Sequence, residues 1–189
     1  MPFAKALVIL VAFLVPPTLK AQEKEKSVQS EVTTAENGDI FMTQEVVIDA
    51  PIKKVWAAYT TSEGWQGWVA PVAKVDLKIG GLIKTNYRKD GKLTDDDAIT
   101  LHVINYVPER MLTLQAELAD NFPKILKARE KQMYNVITFG SLKDDKKTKL
   151  VSYGIGYKDS PELQSMMKFF IQANEQSYLK LKEYVEKNK

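Results

Sequence analysis

The stretch VIDAPIKKVWAAYTTSEGWQGWVAP, residues 47–71, decides the architecture. Its opening closes an alternating run in which Ile40, Met42, Val46 and Ile48 share one face and Thr43 and Glu45 the other, the period of a half-buried strand. Asp49-Ala50-Pro51 ends that run, and proline suits the first turn of a helix, where its missing N–H is not needed. Ile52, Val55, Trp56 and Tyr59 then recur at helical spacing and predict a short helix over 51–60 with a solvated Lys53-Lys54 edge. A second short helical turn is predicted over 62–69, carrying Trp65 and Trp68 three residues apart, so that the two rings project to a common side.

Downstream the pattern turns to strands. Residues 73–79 and 82–87 flank Gly80-Gly81, which suits a tight turn or bulge. Residues 99–106 and 111–118 flank Val107-Pro108-Glu109-Arg110, and 134–141 and 149–157 flank a charged turn, giving two hairpins and an antiparallel meander. Ser160-Pro161-Glu162 opens the last element with a serine cap and a first-turn proline. Leu163, Met166, Met167, Phe170, Ala173, Ser177, Leu181 and Val185 follow at three- and four-residue steps, predicting an amphipathic helix of roughly 25 residues. So long an apolar stripe needs an equally long partner, and a curved sheet supplies one.

Upstream, residues 1–21 have the layout of a secretory signal peptide: Lys5, an apolar run from Ala6 to Val15, Pro16-Pro17, and an exit at Leu19-Lys20-Ala21. The run is about half the roughly 20 residues a spanning helix needs, so no stable membrane anchor is expected after cleavage behind Ala21. An exported protein, periplasmic or secreted, follows as the expectation. Residues 22–38 have almost no large apolar side chain and read as a flexible leader, and 39–189 as a single domain. Without residues 1–21 the chain holds 25 bases against 24 acids, which gives no clustered positive charge for nucleic acid.

The chemistry available is narrow. With no cysteine and one histidine, thiolate nucleophiles, disulfides and multi-histidine metal sites are excluded. Asp95-Asp96-Asp97 lacks the spacing of a calcium loop, and Gly80-Gly81 lacks the Lys-Ser/Thr of a phosphate loop and has no helix after it. Neither a metal nor an organic cofactor is expected.

Strand, two small helices, six antiparallel strands and a long terminal helix is the order of the α+β helix-grip fold. The run 47–71 resembles the opening of START/Bet v 1-like (SRPBCC) domains, and more narrowly the branch related to the activator of the Hsp90-type chaperone ATPase. Val75-Asp76-Leu77-Lys78-Ile79-Gly80-Gly81 resembles that branch's DLRxGG segment, and Tyr106-Val107-Pro108-Glu109-Arg110-Met111-Leu112 its PERL hairpin. The likeness covers about residues 40–187, with 119–132 reading as an insertion or reshaped lid. It implies a curved sheet closed by the terminal helix over a cavity, in a superfamily of lipid carriers, hydrophobic-ligand binders, cyclases and chaperone regulators.

Within that scaffold the candidate cavity residues are Trp65 and Trp68 on the second helix, and Tyr87, His102 and Tyr134 on strands. Met167, Phe170, Asn174 and Ser177 join them from the long helix. Each also has a packing explanation. His102 shares a strand face with Thr100, Ile104 and Tyr106, opposite Ile99, Leu101, Val103 and Asn105, and the sequence leaves open which face is concave. The expected function is non-enzymatic binding or carriage of a small hydrophobic or amphipathic molecule. A cyclase- or hydrolase-like enzyme using His102, Tyr134 or Glu117 is an alternative, and a protein-interaction module another.

Overall fold

Eight strands pair antiparallel in the order β1-β2-β8-β7-β6-β5-β4-β3 in this computed structural model, which describes residues 27–118, 122–158 and 160–187. The strands are β1 (Val28–Thr34), β2 (Asp39–Ile48), β3 (Val72–Val75), β4 (Leu82–Asn86), β5 (Ile99–Val107), β6 (Met111–Ala116), β7 (Tyr134–Leu142) and β8 (Lys147–Lys158). Helices α1 (Ile52–Thr60) and α2 (Ser62–Trp68) follow β2, α3 (Lys124–Lys127) follows β6, and α4 (Pro161–Lys187) ends the chain. The two small helices, the meander and the long terminal helix stand where the sequence puts them. The segment 1–21, expected as a signal peptide, lies outside the described residues.

Two expectations are corrected. Val28–Thr34, assigned to a flexible leader, is a strand in full register with β2, from Val28 opposite Val46 to Thr34 opposite Ile40. Backbone pairing orders it, since only Val28 of its side chains is buried. The strand predicted over 73–79 stops at Val75, because the chain turns back through Gly80 at φ 77°. There the Gly80 N–H donates to the Val103 carbonyl at 2.8 Å, and a Cβ on Gly81 would lie 2.1 Å from the Asp76 carbonyl oxygen. Glycine lets the turn approach its own backbone this closely.

Inward-facing apolar side chains form rows across the sheet. Val46 pairs with Leu150 and Leu150 with Phe139, while Leu112 pairs with Ile137. On this floor sit α1 and α2, with the Trp56 and Tyr59 rings edge-on to Phe139 at 5.3 and 5.6 Å. The Thr61 hydroxyl accepts the Gly64 N–H at 3.0 Å and so caps α2 while closing the tight α1–α2 corner. The C-terminal half of α4 joins this core through Tyr178, Leu181 and Val185. A second, smaller core of Ile40, Met42, Tyr157 and Met167 lies under the N-terminal half. Between the two, Gly154 and Ser177 are too small to fill the space under a helix about 40 Å long.

Candidate functional site

That unfilled space is a cavity of about 1100 Å³, bounded by residues from α1, α2, α4, five strands and the α3 region. Its apolar wall includes Met42, Trp65, Trp68, Leu101, Leu114 and Phe170. Both indoles are fixed by the end of α1: Trp65 Nε1 donates to the Tyr59 carbonyl at 2.6 Å and Trp68 Nε1 to the Ala58 carbonyl at 2.9 Å. With their only polar atoms occupied, the rings offer the cavity flat apolar surface. Exposed Asp96, Asp97, Ile99, Ala116 and Glu117 mark the mouth, and Phe122, Glu130 and Met133 border it from the segment around α3.

The interior also carries polar groups. The Tyr59 and Tyr178 hydroxyls share a hydrogen bond, and Tyr178 is also hydrogen-bonded to Ser152 and Asn135. Ser152 Oγ donates to Asn135 Oδ1 at 2.6 Å. Beside them the fully buried Gln44 donates through Nε2 to Ser30 Oγ at 3.0 Å and to the Ile171 carbonyl at 3.1 Å, and accepts from Asn174 Nδ2 at 2.9 Å. No described buried side-chain polar atom lacks a partner. Tyr59, Tyr178, Asn135 and Asn174 of this network line the cavity and Ser152 and Gln44 hold them from outside the lining, giving a satisfied, pre-ordered polar spot in an apolar chamber, an arrangement that orients a ligand's own polar group.

Burial pushes the phenols of Tyr59 and Tyr178 up from the ordinary tyrosine range, and that of Tyr157 to about 12. A phenol that holds its proton more tightly folded than unfolded contributes stability below pH 10, which is lost as pH rises from about 10 toward 12. For Tyr157 the loss is about 3 kcal/mol. Urea denaturation at stepped pH is expected to show stability falling steeply above pH 10, and Tyr157→Phe to flatten part of that slope; an unchanged slope would contradict this origin.

Of the nine candidate residues, Trp65, Trp68, Tyr134, Phe170, Asn174 and Ser177 line the cavity. Tyr134 has its hydroxyl bound to the Lys131 carbonyl at 2.9 Å, and Ser177 Oγ donates to the Ala173 carbonyl at 3.0 Å. Met167 packs in the smaller core and does not line the cavity. Tyr87 stands 59% exposed just past the end of β4 and does not line the cavity. His102 is absent from the lining as well, with its Nε2 lying 3.5 Å from Glu117 Oε2. Its strand neighbours Leu101 and Val103 face inward, and a register shift between Val103 and Asn105 then turns Tyr106 inward too, undoing the simple alternation expected along this strand. Tyr59, Tyr178, Asn135, Ser152 and Gln44 were not among the candidates. Their signal was available for Gln44 and Ser152, each a polar residue on the apolar parity of its strand.

Among the described residues no group of three or more His, Asp or Glu side chains converges as a metal site. No described helix is long and apolar enough to cross a membrane.

Residues 49–186 match the family described as Activator of Hsp90 ATPase homolog 1-like protein. No curated protein matches the chain. Among solved structures it is similar to the Aha1 dimer from Colwellia psychrerythraea, with a TM-score of 0.58 and 16% identity over 77% of this chain and 96% of that one. It is also similar to a protein from Nitrosomonas europaea, with TM-score 0.58 and 16% identity over 83% and 100% of the two chains. CalU16 from Micromonospora echinospora gives a TM-score of 0.58 and 17% identity over 86% of this chain and 76% of that one. At such identities the likeness shows a shared fold.

Proposed function

Because this chain belongs to the Activator of Hsp90 ATPase homolog 1-like protein family, whose scaffold serves ligand-binding or interaction domains, we propose that it is an exported binder or carrier of a small hydrophobic or amphipathic molecule. The observation that carries the reading is the cavity of about 1100 Å³ with a mainly apolar wall and one internal polar cluster. Volumes of this order accommodate a drug-sized molecule. The apolar body of the ligand would lie against Trp65, Trp68, Leu114 and Phe170, and a hydroxyl or carbonyl would meet the Tyr59, Tyr178 and Asn135 cluster. The role proposed is binding rather than catalysis, a reading supported by His102 standing outside the cavity beside Glu117 and by the Tyr134 hydroxyl being taken up by the Lys131 carbonyl. Export is proposed on the residues of segment 1–21 alone.

The test uses the neutral fluorescent probe N-phenyl-1-naphthylamine with protein recovered from outside the producing cell's inner membrane. Saturable one-to-one binding in the micromolar range is expected, with quenching of Trp65 and Trp68 as the probe occupies the chamber they line. N-terminal sequencing of the same material is expected to begin at Gln22, given cleavage behind Ala21. Absence of saturable binding would remove the carrier reading, and retention of Met1 in protein confined to the cytoplasm would remove export.

A further inference from the structure

We infer, resting on the binding role proposed above, that the cavity takes a cationic amphiphile, an apolar body carrying a protonated amine, and rejects carboxylate and phosphate head groups. The whole chain holds 27 bases against 24 acids, so its composition gives no reason for a one-sided lining. Yet the described lining includes four carboxylates, Asp96, Asp97, Glu117 and Glu130, and no lysine, arginine or histidine. One of the four is paired with a cation that does not itself line the cavity, Asp97 with Arg88 at 2.9 Å, and Glu117 Oε2 lies 3.5 Å from His102 Nε2, also outside the lining. Asp96 and Glu130 make no ion pair among the described residues, and they reach the mouth from separate segments, the β4–β5 loop and the turn after α3.

An ammonium at this carboxylate-lined mouth keeps part of its hydration while its apolar body displaces water from the tryptophan wall, so the cost of burying a charge is largely avoided. A carboxylate in the same pose meets like charge at the mouth and, deeper in, only neutral phenol, amide and hydroxyl groups. Nothing there neutralises it. The site therefore discriminates partly by repulsion.

Isothermal titration calorimetry of the protein at pH 7.5 with decylamine, decanol and decanoate, three molecules with the same hydrocarbon body, separates charge from burial. Decylamine is expected to bind about tenfold or more tightly than decanoate, with decanol between them. The gap is expected to narrow in about 0.5 M NaCl, since the mouth is exposed and screened. In the Asp96→Asn/Glu130→Gln double variant the decylamine-to-decanoate ratio is expected to fall several-fold. Decanol binding together with decanoate equal to or tighter than decylamine would overturn the charge selection and leave the binding role standing. Failure of all three to bind would overturn both.

Discussion

Replacement of Gly156 by alanine is expected to lower the thermal midpoint by about 6–12 °C, corresponding to roughly 3 kcal/mol in a domain of this size. Gly156 lies in β8 at φ 90°, a backbone conformation costly for any residue with a Cβ. A Cβ there would stand 1.9 Å from the Gln132 carbonyl oxygen and 2.9 Å from the Met133 Cα, both backbone atoms with no rotamer to move to. Either β8 or the turn at Glu130–Gln132 must shift. That shift also disturbs Arg129, whose Nε and Nη2 donate to the Gly156 carbonyl at 3.2 and 3.0 Å and tie the α3 segment to the sheet. Gly38→Ala is the control: its φ is 77°, but an added Cβ meets nothing within 4 Å, so only the conformational cost of about 1 kcal/mol remains. Calorimetric scans of the two variants decide the matter, and equal midpoints would show that the close approach at Gln132 carries no weight.

Gln44→Leu is expected to destabilise the fold by about 2–4 kcal/mol, although leucine is the residue that the alternating pattern of β2 asks for. The amide of Gln44 makes three links from β2 to two other elements: to β1 through Ser30, and to α4 through the Ile171 carbonyl and the Asn174 side chain. Ser30 in turn donates to Glu175 Oε1 at 2.7 Å, so the short edge strand is tied to the long helix through these hydrogen bonds. Removal of the Gln44 amide leaves the half-buried Asn174 side chain without this partner, while exposed Ser30 keeps its bond to Glu175. In the double variant Gln44→Leu/Asn174→Leu part of the loss is expected to return, with a coupling of about 1 kcal/mol between the two sites by urea denaturation. Strictly additive losses would mean that the contact between them contributes nothing.

The legible and illegible parts of this fold divide along a physical line. Residues 47–71 and the α4 stripe could be read because they announce themselves through burial period, which is local in sequence. Strand β1 could not be read from VQSEVTT, since an edge strand held by main-chain pairing leaves little trace in its side chains. For His102 the alternation along β5 does not say which face is concave, and the parity shift at the Val103/Asn105 irregularity, which turns Tyr106 inward, comes from a bulge that has no composition of its own. Of the named residues that line the cavity, Trp65, Trp68 and Phe170 could be picked out because large aromatic groups on α2 and α4 must face the sheet, and Asn174 and Ser177 because they lie close to the α4 stripe. The cavity's polar cluster was hidden, since Asn135, Ser152 and Tyr178 come from three separated segments whose meeting depends on strand order and on where α4 lies.

The cavity draws its wall from nearly the whole length of the domain, from Met42 on β2 to Tyr178 on α4. A molecule seated there would touch elements that fold back on each other only when the domain is complete, so it would favour the native chain and leave the unfolded one untouched. At a free concentration one hundred times its dissociation constant it would add about 2.7 kcal/mol, close to a hundredfold fall in the unfolded fraction. Proteases that act on opened chains would then clear the vacant form first. Abundance would follow supply of the small molecule, without a dedicated sensor.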